Sequence, residues 1–496
     1  MNNNKDLIIR AKNFYEKRNF IDARDCLLLA LRDKKINETS RLSLYILISD
    51  IYFKINDFVN SEKYLLNYIK INRYNDKVLN SLANIYLKKR DYKNSEKFYL
   101  ESIKVNDNNE NALVNLAILY HNLGNKEKAI LYYNKILKKN SKNIGALYNL
   151  SNLDKSVLNK NNIDNLKRLI ESKSLNNFDV ASCYFLLAEN EKRKKNFKEE
   201  INILEQANHF SYKEKEKLNI QSDDYWLNII PKKFHQIDFS EYKDKEIKTN
   251  NIYPIFIIGL PRSGSTLIES IISSGKDKIE NLGETNLANW AFLNTNREIL
   301  KSSSENEKII INAETTAVKL IQAIENLFIN KKQEKIIFLE KSLENFYYIE
   351  LLLKIYPNAK FINSNRNLID NIFAIYKQFL SNISWSHSLE NILRYFDNYL
   401  KTMDYFKKKF PDKIFSLFLE NLTDKPKDTA KEIYKFCGLT WDEKCLNFHK
   451  RDDLFTNTAS NDQIRRSVQR YDDKKYINYK DMLKKYEKKY NWLNLK

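Results

Sequence analysis

The sequence predicts two parts: an all-α helical repeat solenoid, then an α/β domain whose parallel sheet carries a phosphate-binding loop. Three observations predict them. In the N-terminal half, Leu82-Ala83-x-x-Tyr86 returns 34 residues later as Leu116-Ala117-x-x-Tyr120, a period that stacks helical hairpins. In the C-terminal half, strand-length apolar runs alternate with amphipathic stretches, as in a parallel sheet covered on both faces. Only 7 Gly and 6 Pro occur, which favours long helices and few turns.

Length and composition agree with two domains. At 496 residues the chain exceeds one ordinary core, and its 43% hydrophobic content is ample for folded domains. Net charge is +20, from 84 Lys+Arg against 64 Asp+Glu, which suits an anionic ligand. The basic residues are spread along the whole chain, so a generally basic surface is expected and nucleic-acid binding is not. Cys26, Cys183, Cys437 and Cys445 are scattered without a CxxC, and the 5 His form no metal spacing. Neither a disulfide framework nor a zinc site is expected. No apolar h-region follows Met1, and no apolar run approaches the ~18 residues of a spanning helix. The expectation is a cytoplasmic protein without a membrane partner.

The repeats come first. Tyr52, Phe58 and Ser61 share their offsets with Tyr86, Tyr92 and Ser95, and Tyr120 and Ala129 continue the series. Phe14, Phe20 and Ala23 show the same offsets at the start. A further unit begins near Ile144 with Leu150 and Ser151 in phase, and Ala188, Phe197 and Glu200 suggest a last, degenerate one. Small residues let paired helices approach, and the aromatics fill the space between units. The period resembles that of tetratricopeptide repeats, whose stacked units form a concave groove. Two uses of the groove stand open: a peptide or protein segment docks there, or the array is a spacer or a homodimerisation arm. We expect the solenoid over 1–211, a connecting segment over 212–245 and the second domain over 246–496, with the stretches around Tyr225 and Phe234 as connecting helix and loop.

In the second domain, strands are expected at 255–260, 336–339, 359–362 and 414–419, and helices at 267–273, 346–355, 368–380 and 429–437. The aromatics along 391–406 mark a core helix. The first strand enters Gly259-Leu260-Pro261-Arg262-Ser263-Gly264-Ser265-Thr266. A strand, a tight turn and a helix N-terminus aim backbone N–H groups and a helix dipole at an anion. The spacing is that of a Walker A loop, but Ser265 stands where its lysine would reach the β- and γ-phosphates. The cation is instead Arg262, inside the turn. Arg262, Lys341 and Arg366 each follow a strand, where open α/β sheets bind ligands. Together they suit a doubly phosphorylated nucleotide.

The run Leu260-Pro261-Arg262-Ser263-Gly264-Ser265-Thr266-Leu267 resembles the 5′-phosphosulfate loop of sulfotransferases. It is most similar to the group that joins tetratricopeptide repeats to a sulfotransferase domain, related to protein-tyrosine sulfotransferases. The resemblance implies 3′-phosphoadenosine-5′-phosphosulfate (PAPS) as donor, 3′,5′-adenosine bisphosphate as product, and no metal. It implies that Arg262, Ser263, Gly264, Ser265 and Thr266 hold the 5′-phosphosulfate. Leu282-Gly283-Glu284-Thr285 matches the family's Gly-Glu element, which makes Glu284 the general base. Glu340-Lys341 matches an Asp-Lys pair whose lysine contacts the transferring sulfuryl group; the Pro that follows in the family is Leu343 here. Pro357-Asn358-Ala359-Lys360-Phe361-Ile362 and Arg366 match the 3′-phosphate strand and its arginine, with Asp370, Tyr376 and Gln378 in register. The family's serine eight positions past that arginine is Ala374, so one hydroxyl contact to the 3′-phosphate is lost or supplied from elsewhere. Phe436-Cys437-Gly438-Leu439-x-Trp441 matches a late landmark, which is structural in the family, so Cys437 and Cys445 are expected in the core. Thr458-Ala459-Ser460, Gln463 and Arg465 match a further element, and the protein-tyrosine enzymes point to Ser460 and Lys475-Tyr476 as site-lining.

The implied reaction is transfer of a sulfuryl group to a hydroxyl acceptor on a peptide tyrosine, a sugar or a small metabolite. Like phosphoryl transfer it is an in-line displacement that needs charge stabilisation and a base. Arg262, Glu284, Lys341 and Ser460 are the catalytic candidates. The rivals are a P-loop kinase, which Ser265 opposes, and a non-catalytic scaffold with a decayed nucleotide site, which Ala374 favours and Arg262, Glu284 and Lys341 oppose.

Overall fold

The computed structural model describes residues 2–236, 251–295, 313–328, 335–451, 455–456, 461, 463–472 and 475–495. The chain forms two compact units, Met1–Leu153 and Asp154–Lys496.

The first unit is a stack of antiparallel helical hairpins: Asn2–Glu16 with Phe20–Leu31, Glu38–Lys54 with Phe58–Ile71, Asp76–Lys88 with Tyr92–Val105, and Glu110–Asn122 with Lys126–Lys139. Ile144–Leu153 opens the next. The sequence dictates where each helix starts. Asn37, Asp57, Asn75, Asp91, Asn109 and Asn125 each cap an N-terminus by accepting a backbone N–H from the first turn. Each such cap stabilises its helix by about 1 kcal/mol. Within a hairpin the chain reverses through a left-handed residue at one repeat position: Asn56, Arg90 and Gly124. The small residues behave as the pattern requires. Ser61, Ser95 and Ala129 are fully buried, and Ser95 Oγ donates to the Ala83 carbonyl at 3.0 Å across the hairpin. The aromatics stack in register, Tyr52 on Tyr64, Tyr86 on Phe98 and Tyr120 on Tyr132. Between successive hairpins, the Tyr86 hydroxyl donates to Glu62 and that of Tyr120 to Glu96, each at 2.6 Å.

The second unit holds a five-stranded, all-parallel sheet in the order β2-β3-β1-β4-β5. The strands are β1 (Ile252–Gly259), β2 (Ile279–Gly283), β3 (Ile336–Glu340), β4 (Lys360–Asn365) and β5 (Ile414–Phe418). Ile255 and Ile257 bury one face of β1 against Ile268, Ile271 and Ile433 of flanking helices. Phe256, on the other face, meets Phe338 and Phe361, and Tyr356 closes on Phe338. The expected core helix is Leu389–Lys409, with Tyr395, Phe396, Tyr399 and Phe406 buried. Cys445 is buried, as expected, whereas Cys437 is only partly so.

Three features differ from the sequence expectation. β2 is a strand that the apolar pattern does not reveal: Ile279-Glu280-Asn281-Leu282-Gly283 lies at the sheet edge and is only half-buried along its length. The stretch expected as one helix over 346–355 is a 3₁₀ turn, Leu343–Tyr348, followed by the short helix Ile349–Ile355. The helix expected over 368–380 ends at Tyr376.

The helices Asn177–Arg193 and Phe197–Lys213, which the sequence analysis counts with the repeats, lie in the second unit. Asn208 Nδ2 donates to the Tyr376 carbonyl at 3.0 Å, and Phe178 and Phe185 pack on Phe379. The connecting helices carry Tyr225, Leu227 and Ile230 into the core of the same unit. Among the described residues no helix is long and apolar enough to cross a membrane.

Candidate functional site

The carboxyl ends of β1, β2, β3 and β4 carry the polar residues that the sequence singles out. β1 ends at Gly259, whose φ of +137° and closeness to β4 both demand glycine: a Cβ there would stand 2.5 Å from the Ser364 carbonyl oxygen. The chain then turns through Arg262, left-handed at φ 66°, and Gly264, at φ 97°. Gly264 caps the helix Ser265–Ile272 and, lacking a side chain, makes no hydrogen bond of its own to the first N–H groups, an arrangement that suits an anion.

Three consecutive loop carbonyls are tied to side chains behind them. Asn371 Nδ2 donates to the Pro261 carbonyl at 2.6 Å, Arg366 Nη1 to that of Arg262 at 3.2 Å and Ser364 Oγ to that of Ser263 at 3.0 Å. Ser263 Oγ lies 2.7 Å from the Leu260 carbonyl and 2.9 Å from Ser364 Oγ. The loop is therefore held by β4, Arg366 and the helix Leu368–Tyr376 as well as by its own Ser263–Leu260 bond. Ser263, Ser265 and Thr266 are buried, and Arg262 is half-buried.

Past β2 and β3 lies a charged cluster. Lys341, 1% exposed, places Nζ 2.6 Å from Glu284 Oε1 and 3.4 Å from Glu269 Oε2. Burial works to lower the Lys341 pKa, but the carboxylates of Glu269 and Glu284 outweigh it and hold the ammonium above its ordinary value. The Lys341 backbone N–H donates to the Gly283 carbonyl at 2.8 Å, continuing the ladder to the edge of the site.

Glu340, beneath this pair, is buried and accepts from Thr285 Oγ1 at 2.8 Å, Ser342 N at 3.0 Å and Asn345 Nδ2 at 2.6 Å, as well as from the Ser342 hydroxyl. Burial raises its pKa, and the donors of Ser342 and Thr285 oppose the rise. Glu340 thus ties the residue after Glu284 to the residue after Lys341. Burial, with Glu340 and Glu284 adding, also pushes Glu344 up to about 7.

Arg366, past β4, bonds the Tyr471 hydroxyl through Nε at 3.1 Å and lies 5.2 Å from the Tyr471 ring centre and 5.5 Å from that of Tyr476. Burial works against its charge, and the Tyr471 hydroxyl leads the groups that restore it and leave its pKa raised. The Tyr471 hydroxyl donates to Asp370. Ala374 is buried one turn further along the same helix.

Of the residues expected at the site, Glu284 and Lys341 are in direct contact, and Arg366 touches the backbone of Arg262. Lys475 is exposed, its ammonium 5.5 Å from the ring of Tyr476, which in turn faces Arg366. Ser460 lies outside the described residues. Sequence reasoning missed Glu269, Ser364, Asn371 and Tyr471. Glu269 carried a readable signal: it is the sole charge in the apolar helix Ser265–Ile272, which begins at the loop itself. Among the described residues no cluster of His, Cys, Asp and Glu could hold a metal ion.

The Sulfotransferase family model matches residues 254–443, which include the loop, Glu284, Lys341 and Arg366. Tetratricopeptide repeat models match residues 76–109 and 98–130. The chain is thus similar to tetratricopeptide repeats over 76–130 and to the Sulfotransferase family over 254–443. An uncharacterized protein of Aquifex aeolicus (strain VF5) is 27% identical over 245 residues, a match that spans 46% of this chain and 31% of that relative. Among solved structures, a tetratricopeptide repeat protein from Parabacteroides merdae aligns at 18% identity and TM-score 0.31, covering 44% of this chain and 91% of that one. The sulfotransferase domain of the Synechococcus PCC 7002 olefin synthase aligns at 16% identity and TM-score 0.31, covering 44% of this chain and 85% of that one.

Proposed function

We propose that the second unit moves a sulfuryl group from PAPS to a hydroxyl acceptor. The observation that carries this reading is the pairing of Lys341 with Glu284 at strand ends beside an uncapped phosphate loop. The N–H groups of the loop and of the helix Ser265–Ile272 receive the 5′-phosphosulfate, with Arg262 adding charge. Arg366, anchored to that loop, receives the 3′-phosphate. The chain's own aromatics, Tyr471 and Tyr476, keep the guanidinium in place.

Glu284 takes the proton of the acceptor hydroxyl as the acceptor oxygen forms its bond to sulfur. The bond from sulfur to the bridging phosphate oxygen breaks, and the electron pair leaves on 3′,5′-adenosine bisphosphate. Lys341 stabilises charge on the sulfuryl and leaving oxygens. The acceptor is a hydroxyl on a peptide tyrosine, a sugar or a small metabolite.

In the first unit, a groove of about 580 Å³ is lined mainly by apolar side chains such as Ile8, Leu47, Phe53 and Ile85, with Asp50 and Tyr15 at its polar side. A peptide or protein segment docking on this surface is one use of the array, and a spacer or homodimerisation arm is the other. The test of the donor is isothermal titration of the full chain with 3′,5′-adenosine bisphosphate without metal, against ATP–Mg²⁺. Preference for ATP–Mg²⁺ overturns the reading.

A further inference from the structure

Lys341 has two carboxylates within ion-pair distance, and the proposed reaction needs only one of them to stay. Glu284 is the mobile partner: its side chain is 51% exposed and follows an edge strand. Glu269 is the fixed one: its side chain is 12% exposed, on the helix that starts at the phosphate loop. We infer that Glu269 is a positioning residue, which holds Lys341 charged and in place while Glu284 turns to the acceptor hydroxyl. The inference rests on the proposed sulfuryl transfer.

Lys341 is buried, where an unpaired charge is costly. A carboxylate that bonds the Lys341 ammonium at 2.6 Å cannot take a proton from an acceptor without loosening that bond. If Glu284 were the sole partner, its departure would strand an ammonium that is 1% exposed, and a stranded buried charge sheds its proton instead. A neutral amine stabilises neither the sulfuryl oxygens nor the leaving group. Glu269, at 3.4 Å, is too far for a tight hydrogen bond but close enough to keep the charge. Its carboxylate comes from the same short helix that presents N–H groups to the donor. Donor cradle and counter-ion are therefore one rigid piece, and Lys341 keeps its place relative to the phosphosulfate. Among the described residues, the charged groups that face Lys341 from the neighbouring elements are Glu284 after β2 and Glu269 on the helix.

The test compares the parent chain with Glu269→Gln, using bisphosphate titration and the pH profile of transfer from PAPS to a cell-extract acceptor pool. Bisphosphate affinity, titrated at pH 6.5 where Glu284 still keeps Lys341 charged, should stay within about threefold. Transfer should fall more at pH 9 than at pH 6.5, because Lys341 now loses its proton earlier, and Glu269→Asp should recover part of it. A profile of unchanged shape overturns the inference, as does a uniform loss accompanied by lost bisphosphate binding, which marks a merely structural role. If the parent transfers nothing, the sulfuryl-transfer reading fails on its own. The Glu269 inference is then decided by NMR of lysine-labelled protein, with the Lys341 resonance assigned through Lys341→Arg. Its titration midpoint should drop in Glu269→Gln, and an unchanged midpoint overturns the inference.

Discussion

Arg366 Nη1 donates to the carbonyl of Arg262 at 3.2 Å, so the cation past β4 also holds the loop past β1. Two roles for Arg366 follow, and ligands can separate them. One is direct contact with a 3′-phosphate; the other is support of the loop.

Arg366→Ala should weaken 3′,5′-adenosine bisphosphate binding by about 2 kcal/mol, the scale of a charged hydrogen bond. Adenosine 5′-phosphosulfate, which lacks the 3′-phosphate, should lose much less. Titration of both ligands decides the matter. Equal losses would assign Arg366 to loop support alone.

Glu284→Gln keeps the side chain's size and removes the carboxylate proposed as the base. Transfer from PAPS should fall by roughly 10²–10⁴, the range for loss of a general base. Bisphosphate binding should change little, because Glu284 lies past β2 and not on the loop. Radiolabelled transfer that survives the change undiminished would remove Glu284 from the mechanism.

The legible part of this protein was whatever obeys a period or a local motif. The 34-residue repeat, β1 and its loop, and the residues Lys341 and Arg366 after apolar strands could be read directly. β2 could not: an edge strand buries little, so Ile279-Glu280-Asn281-Leu282-Gly283 has no apolar run. Glu284 was therefore readable only through resemblance. The supports of the site were hidden for a different reason. Asn371, Ser364 and Tyr471 act on residues about 100 positions away, and no local pattern announces such a contact. Glu200 falls at a repeat position in the sequence, yet its carboxylate bonds Lys377 and Tyr479 in the second unit.

Glu340→Ala tests whether the buried carboxylate organises the site. The change strands the donors of Thr285, Ser342 and Asn345, each of which now bonds Glu340. Stranded buried donors cost about 1–3 kcal/mol, so the urea midpoint should fall. Transfer should fall further than the unfolded fraction accounts for, because Thr285 and Ser342 adjoin Glu284 and Lys341. A stable variant with parent activity would show that Glu340 organises nothing.

His387 should set part of the acid limb of stability. It is buried, with Nδ1 3.3 Å from Asn208 Oδ1, and burial pushes its pKa down to about 4. The unfolded chain therefore binds the extra proton between about pH 6.5 and 4. The associated stability is complete above pH 6.5 and is lost as pH falls through 4, by about 3 kcal/mol in all. Urea unfolding of the parent and of His387→Gln at pH 7 and 4.5 checks this. The gap between the two should close on the acid side, and a constant gap counts against a neutral buried imidazole.

Lys377 gives the opposite limb. It lies between Glu200, at 2.7 Å, and the ring of Tyr479, whose centre is 3.6 Å from Nζ, and only 12% of its side chain is exposed. Burial pushes its pKa down to about 8, against the pull of Glu200. Below pH 8 the folded and unfolded chains both carry the proton. Between about 8 and the ordinary 10.5 only the unfolded chain does, so stability rises with pH across that window. The sign is the reverse of that for a surface ion pair, which weakens as lysine titrates. The rise should be on the order of 2–3 kcal/mol. Lys377→Met removes the titrating group and keeps the buried chain of methylenes. Urea unfolding of both proteins at pH 7.5 and 10 should show the parent gaining on Lys377→Met as pH rises. If the parent instead loses ground, the Lys377 ammonium is held by Glu200 at its ordinary pKa or above, and burial does not dominate at this position.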